Sequence, residues 1–291
     1  MNNFISVVIP TSCRTIDMLN NAVQSVKIQS LPAYEIIIVD DNSDNSVSQN
    51  IILYCQKNSL IYVASGNVGA AAARNVGINI AQGSYIAFLD DDDIWLSNKL
   101  QMQMALFSTS NIGLVYCKGY TIKTDNHHNA LVMPYATTSY YKTEVHYNDL
   151  LEKNYIGTTS QLVVRKSILI EINGFDESLS SRQDYDLCLR IARHYRCVGV
   201  DDYLFVHYKH NKNQITTNAK INMKGYQLLF QKYKSDISQI KDASRKWYYR
   251  IAHWALASSS YAIFIKYFFL AIIDNPLKAK ETIKKCMKQA K

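Results

Sequence analysis

The pattern that most restricts this chain is an alternation. Short, continuously apolar runs at 4–9, 35–39, 60–64 and 85–89 take turns with segments at 17–30, 46–57 and 70–81 whose apolar residues recur at helical spacing. A run that is apolar at every position is a strand buried on both faces. Such strands separated by helices form a mostly parallel sheet covered on each side. An α/β, Rossmann-like fold is therefore expected, with Gly83 as the C-cap that ends the third helix. Ligands of these sheets gather beyond the carboxyl ends of the strands. Here those ends are polar. Pro10-Thr11-Ser12 follows the first run and Asp40-Asp41 the second. The third is followed by a loop, Ser65-Gly-Asn-Val-Gly69, that leads to Arg74, and the fourth by Asp90-Asp91-Asp92-Asp93.

Four consecutive carboxylates repel one another and are costly to bury unpaired. A divalent cation relieves that cost, and hard oxygen ligands suit Mg²⁺ or Mn²⁺. The competing reading is an acidic loop that caps a helix beginning near Ile94. Arg74 and Asp41 at the same edge favour the cation, because together they suit a nucleotide diphosphate. The metal neutralises phosphate, Arg74 pairs with phosphate or base, and Asp41 accepts hydrogen bonds from base or ribose. No Gly-x-Gly-x-x-Gly follows the first run and no Gly-x-x-x-x-Gly-Lys-Ser/Thr occurs anywhere, so dinucleotide and P-loop sites are not expected.

The second half is less regular. Residues 118–153 are rich in Tyr, His and Thr and suggest no firm structure; His127 and His128 within them read as solvated loop residues. A strand at 160–164, a short helix at 166–172 closed by Gly174, an amphipathic helix at 185–195 opened by Asp184, and a strand at 202–206 are expected. Residues 217–291 read as helices. The whole net charge of +8 lies in 241–291, and 1–240 is neutral, so the basic character describes a partner of the tail. Lys246-Trp-Tyr-Tyr-Arg250 joins aromatic to basic residues, and the apolar run 261–273 is shorter than the ~20 residues a bilayer requires. Peripheral contact of 241–291 with an anionic membrane is expected, at its cytoplasmic inner face. Six cysteines without a Cys-x-x-Cys pair indicate free thiols in a reducing compartment, and no signal peptide is expected. The neutral body carries no nucleic-acid signature, so nucleic acid is not an expected partner.

Several stretches now form a series. Ser6-Val-Val-Ile-Pro-Thr11, Ile37-Ile-Val-Asp-Asp-Asn-Ser43, Asn67-Val-Gly69 with Ala73-Arg-Asn75, and Tyr85-Ile-Ala-Phe-Leu-Asp-Asp-Asp-Asp-Ile-Trp95 occur in order. Gly174-Phe-Asp-Glu-Ser-Leu179 and Gln183-Asp-Tyr-Asp-Leu-Cys-Leu-Arg190 follow. Together they resemble the family 2 inverting glycosyltransferases of GT-A fold, of the bacterial surface-polysaccharide type. The resemblance implies a catalytic domain over 1–215, with a nucleotide-sugar-binding half (1–115) and an acceptor half (116–215). A helical, basic and aromatic region, 216–291, would follow. It implies transfer of a hexose or N-acetylhexosamine from a nucleotide sugar, UDP-linked, to a saccharide acceptor. The acceptor would be carried on undecaprenyl diphosphate in O-antigen or capsule synthesis, with Mn²⁺ or Mg²⁺ as cofactor.

The resemblance also distributes roles. Pro10, Thr11, Asp41, Arg74 and Asp91 fall on the nucleotide sugar. Two registers of the Asp-x-Asp motif fit, Asp90-x-Asp92 and Asp91-x-Asp93. The first is adopted because Leu89-Asp90 follows the apolar run directly, so Asp92 and Asp90 fall on the metal, Asp92 foremost. Asp93 is left as the helix cap. Asp184 falls on the catalytic base. Inverting transfer needs one carboxylate to take the acceptor proton and no acid, since the leaving diphosphate is already an anion. Asp186 falls to local structure. His210, ahead of His207, falls on a metal or diphosphate ligand. Two departures stand out: Ser12-Cys13 replaces the family's Tyr-Asn, and Gln183 stands where Glu often precedes the base. They keep open a second reading, a nucleotide-sugar-binding partner subunit without catalysis.

Overall fold

The computed structural model describes residues 4–12, 15–124, 130–209 and 218–278; His127, His128, His210, Cys13 and Cys286 lie outside them. The chain divides into two compact units. The first is Met1–His146, Tyr155–Glu177 and Gln183–His210, and the second is Tyr147–Asn154, Ser178–Arg182 and Asn211–Lys291. The residues around the expected 215/216 boundary are outside the described set.

The first unit opens as a parallel βα series. Its elements are β1 (Ile5–Thr11), α1 (Ile16–Lys27), β2 (Glu35–Asp40), α2 (Asn45–Asn58), β3 (Ile61–Ala64), α3 (Ala70–Ile80) and β4 (Tyr85–Phe88). β2 and β4 flank β1, both parallel to it, and β3 lies beyond β2. The apolar runs therefore became strands for the expected reason: every residue of β4 and nearly every residue of β1 is buried. Ile5, Val7 and Ile9 face a core shared with Leu19, Val23 and Val26 of α1 and Ile51 of α2. Val8, of opposite parity, meets α3, where Gly77 lets helix and strand approach; a Cβ there would lie 2.4 Å from Val8 Cγ1. α3 ends at Ala81, whose N–H reaches Gly77 O. Gly83 is not its C-cap. A Cβ on Gly83 would lie 2.7 Å from both Phe4 O and Ser6 N, so the residue serves the close passage of the chain beside β1.

The sequence expectation of a helix near Ile94 fails. Asp93–Trp95 is a short strand, β5, antiparallel to a long later one. α4 (Lys99–Met104) follows. The stretch 118–153, unassigned from sequence, holds most of β6 (Ile112–Thr124), β7 (Ala130–Pro134), β8 (Glu144–Val145) and α5 (Tyr147–Glu152). The strand expected at 160–164 is a 3₁₀ turn, Thr159–Gln161, leading into β9 (Val163–Arg165). α6 (Lys166–Glu171) ends through Asn173 at φ +58°, with Gly174 N–H bonded to Leu169 O at 2.7 Å. α7 is Gln183–Ala192, two residues earlier than expected, so Asp184 lies in its first turn. β10 (Arg196–Lys209) is fourteen residues long where five were expected.

The sheet order is β3-β2-β1-β4-β9-β6-β10-β5. β9 runs antiparallel to β4 and β6, and β6 is parallel to β10. The chain winds outward from β1 through β2 to β3, then returns to place β4 on the other side of β1. That reversal makes the crevice beyond β1 and β4 the natural ligand position.

The second unit is helical: α8 (Ala219–Ser238), α9 (Ala243–Ala257) and α10 (Tyr261–Asp274), with α5 packed on α8 and α9. Trp247 of α9 is fully buried and donates from Nε1 to Leu151 O at 2.6 Å, while Lys246 pairs with Glu152. Of the aromatic-basic stretch 246–250, Trp247 is interior packing of this unit and the other four residues are half-buried.

Candidate active site at the carboxyl edge of the sheet

The β1–β4 ladder ends with Val8 beside Phe88, and three residues past that pair the side chains of Thr11 and Asp91 meet. Thr11 Oγ1 donates to Asp91 Oδ2 at 2.6 Å, a buried bond across the crevice. Asp91 is thereby fixed, as is Thr11. Pro10 precedes them, opposite Val39 of β2.

Asp41, just past β2, is buried and accepts three hydrogen bonds. Its Oδ1 receives Ser65 Oγ at 2.6 Å and Val68 N at 2.7 Å, and its Oδ2 receives Gly69 N at 2.9 Å. The loop it gathers has positive φ at Gly66 (+87°), Asn67 (+59°) and Gly69 (+92°). Such a path suits glycine and asparagine, which explains this composition between β3 and α3. By holding the loop, Asp41 sets where α3 begins and so where Arg74 stands.

Arg74 is the hub of the edge. Its Nη2 donates to Asp90 Oδ1 at 2.6 Å, and its Nη1 donates to Ala70 O at 3.2 Å and Gln183 Oε1 at 3.3 Å. The guanidinium lies 5.5 Å from the Phe175 ring centroid. Its Nε is buried with no hydrogen-bond partner among the described residues. One arginine thus connects the acidic run to the start of α7. The neutral Gln183 in place of a carboxylate leaves Asp90 as the anion that this guanidinium pairs with.

The acidic run is held from behind by two hydroxyls of the 3₁₀ turn. Thr159 Oγ1 lies 3.1 and 3.2 Å from the two oxygens of Asp90. The fully buried Ser160 Oγ accepts from Asp90 N at 3.0 Å and donates to Asp93 Oδ2 at 2.6 Å. The turn itself is closed by a reciprocal capping box between Thr158 and Gln161. Asp93 is no helix cap: it is buried in β5 opposite His207 of β10, and His207 Nδ1 stands 2.9 Å from Asp93 Oδ1. Burial pushes the Asp93 carboxyl up, with the charges of Asp90 and Asp92 adding and His207 opposing. Burial works to lower His207, but the bond to Asp93 and the charges of Asp93, Asp92 and Asp90 outweigh it and raise it.

Asp184 accepts from Tyr185 N at 2.8 Å within the first turn of α7. Asp186, two residues on, is fully buried and ion-paired with Arg190 at 2.7 Å, the local structural role expected. Thr159, Ser160, Gln183 and Phe175 were not singled out from sequence as site residues. The Thr158-x-x-Gln161 box and the position of Gln183 beside Asp184 were the signals present. His207 takes the contact to the acidic run, while His210 lies outside the described residues.

The carboxylates of the run are hard oxygen donors of the kind a divalent cation takes, with Asp90 also bonded to Arg74 and Thr159, Asp91 to Thr11, and Asp93 to Ser160 and His207. Among the described residues no group of three or more His, Cys, Asp or Glu forms a ready cage. Mg²⁺-type ions are usually held by one or two carboxylates plus substrate phosphate, so a cage is not required.

A sequence model described as Glycosyl transferase family 2 matches residues 6–172, more than half of the chain. The chain belongs to glycosyl transferase family 2. Among curated relatives, this family 2 glycosyltransferase is 26% identical over 219 residues to an Escherichia coli protein. That protein is the UDP-Glc:alpha-D-GlcNAc-diphosphoundecaprenol beta-1,3-glucosyltransferase WfgD, and the match covers 75% of this chain and 82% of WfgD. It is 29% identical over 251 residues to the putative colanic acid biosynthesis glycosyl transferase WcaA of E. coli K12, covering 84% and 86%. In three dimensions it resembles S. aureus TarS 1–349, solved in complex with UDP-GlcNAc. The TM-score is 0.62 at 16% identity, over 96% of this chain and 83% of that one. At that identity the likeness shows the shared GT-A fold, with the strands and edge described above.

Proposed function

We propose that this glycosyltransferase moves a hexose or N-acetylhexosamine from a UDP-sugar to a lipid-linked saccharide in surface-polysaccharide synthesis, with inversion and a divalent cation. The observation that carries the reading is the convergence on one edge. Asp90 is tied to Arg74, Arg74 to Gln183, and Asp184 follows Gln183 directly. The names of WfgD and TarS supply the donor and lipid-diphosphate chemistry by analogy with relatives.

In this reading Asp184 takes the proton from the acceptor hydroxyl as that oxygen bonds to the anomeric carbon and the bond to the diphosphate breaks. Attack opposite the leaving group inverts the centre. Arg74, with its Nε donor still unmatched among the described residues, pairs with the diphosphate. Asp91 and Thr11 border the nucleotide, with Pro10 beside them, and Asp41 sits where a base N–H can be received. Asp92, with Asp90, would hold Mn²⁺ or Mg²⁺, which would neutralise charge on the departing UDP.

The test is UDP release with Mn²⁺ across a panel of UDP-sugars and a diphosphoundecaprenol-linked acceptor. Asp184→Asn is expected to abolish transfer while UDP still binds; Asp92→Asn is expected to abolish the metal dependence together with transfer. Near-normal turnover in Asp184→Asn removes its role as base. UDP binding by calorimetry without turnover on any acceptor favours a non-catalytic donor-binding subunit instead.

A further inference from the structure

α10 is apolar on both its buried and its exposed faces. Tyr267 and Ala271 turn inward. On another face Tyr261 (62% exposed), Ile265 (52%), Phe269 (55%) and Ile273 (70%) follow one another at four-residue intervals. Residues four apart stack on one side of a helix, so these form a single stripe about 18 Å long. Isolated exposed apolar residues are ordinary, but a continuous row of four large ones marks a contact surface.

The hairpin that carries the stripe is pinned at its open end. Asp242, at φ +64° before α9, receives Arg245 Nε at 2.6 Å, Asn275 Nδ2 at 3.0 Å and Lys278 Nζ at 2.9 Å. Arg245 N in turn donates to Asp274 Oδ2 at 3.1 Å. These bonds join the start of α9 to the end of α10. Arg245, Lys278 and Asn275 hold the Asp242 carboxyl well below its usual range, so the staple is ionised across the physiological range.

We infer that this stripe seats α10 in the headgroup layer of an anionic phospholipid membrane, lying in the plane of the surface. Two features select that occupant. Fourteen residues make a helix about 21 Å long, short of the ~30 Å hydrocarbon core; among the described residues no helix is long and apolar enough to cross a membrane. The sequence that follows α10 is also basic. Lys266 is exposed next to Ile265, and the sequence from Lys278 to the last residue holds six lysines and one glutamate. An apolar helix face joined in sequence to a lysine-rich segment is the chemistry of interfacial anchoring, the lysines drawing anionic headgroups while Phe and Ile enter the acyl boundary. The inference deepens the reading of a lipid-linked acceptor and rests on it only for its purpose; the binding itself is measured without transfer.

The test is co-sedimentation of the full chain with phosphatidylglycerol–phosphatidylethanolamine vesicles and with phosphatidylcholine vesicles. The chain is expected to bind the anionic vesicles in preference, and less as salt is raised. The double variant Ile265→Ser/Phe269→Ser, with an unchanged melting curve, is expected to lose at least about tenfold in partitioning. Replacing Lys280, Lys284 and Lys285 by Gln is expected to lose about a hundredfold on anionic vesicles alone. Undiminished binding by the double variant overturns the inference, since the basic tail alone would then suffice. No binding by the unaltered chain overturns it too. A dimer by light scattering that the double variant converts to monomer, without lipid binding, assigns the stripe to a second copy and overturns it as well.

Discussion

The acidic run shows how much at the scale of single residues depends on partners distant in sequence. Asp90 to Asp93 are four identical side chains, yet each has a different neighbour. Asp90 pairs with Arg74, Asp91 with Thr11, and Asp93 with Ser160 and His207, while Asp92 is the carboxylate assigned foremost to the cation. Ser160 is the position with most leverage, since one hydroxyl joins the backbone of Asp90 to the carboxylate of Asp93. Ser160→Ala is expected to lower kcat/KM with the UDP-sugar about tenfold to a hundredfold, the usual effect of removing a group that orients ligands. Steady-state kinetics beside a thermal melt check this; an unchanged kcat/KM would show that the run keeps its shape without Ser160. The aspartate run and Arg74 stood out in the sequence because few folds place charge at a strand end without use for it, whereas Asp184, in the first turn of a helix, was singled out only by the family resemblance. Ser160 was not singled out, and His207 was named only behind His210, because a serine or histidine acquires meaning only from what lies across from it.

At the scale of elements, continuous apolar runs gave reliable strands and mixed segments did not. β1 to β4 fall within two residues of where the apolar pattern predicts them. β6, β7 and β8 were not assigned from sequence: β6 mixes Tyr, Thr and Lys into its second half, β7 is mostly exposed, and β8 is two residues long, so none carries a clean period. Gly83 was misread for a physical reason: a glycine after a helix looks like a cap, and only the packed chain shows the Phe4 and Ser6 backbone pressing on it. Gly83→Ala is therefore expected to destabilise by about 1–3 kcal/mol, as the atoms it meets are backbone and cannot rotate away. Urea denaturation measures it; a neutral substitution would mean that β1 shifts freely at its amino end.

For the whole molecule, the buried thiols predict a pH dependence. Burial pushes Cys117 and Cys197 up to about 12, and Cys188 is also raised well above its usual value. In the unfolded chain these thiols ionise near 8.5. Above that pH the unfolded state binds fewer protons than the fold, so stability falls as pH rises, by about 1.4 kcal/mol per pH unit for each thiol. Lys99 acts in the opposite sense. Burial pushes it down to about 8, so between that pH and its unfolded value near 10.4 the unfolded chain holds the extra proton and stability rises. These three thiols, with Cys55 pushed up to about 11 by burial, outweigh one lysine, and a net decline from about pH 9 upward is expected. Cys197→Ala should flatten that decline by about 1.4 kcal/mol per pH unit, read from urea melts at stepped pH. An unaltered slope would mean that this thiol meets solvent before global unfolding.

The sequence by itself determined the parallel βα half, the edge at which chemistry gathers, and the carboxylates and arginine that occupy it. These follow from local rules: apolar periodicity selects strand or helix, and charge at a strand end needs a partner. Only the tertiary structure decided how the four aspartates divide. It made Asp93 a strand residue facing His207, brought Gln183 to Arg74, and buried Trp247 of α9 while leaving a stripe of α10 outside. Each of those depends on contacts between residues tens of positions or more apart, and a one-dimensional pattern holds no term for the distance that folding closes. The run of aspartates was readable as a site; what each one holds is set by the strands and turns that reach it.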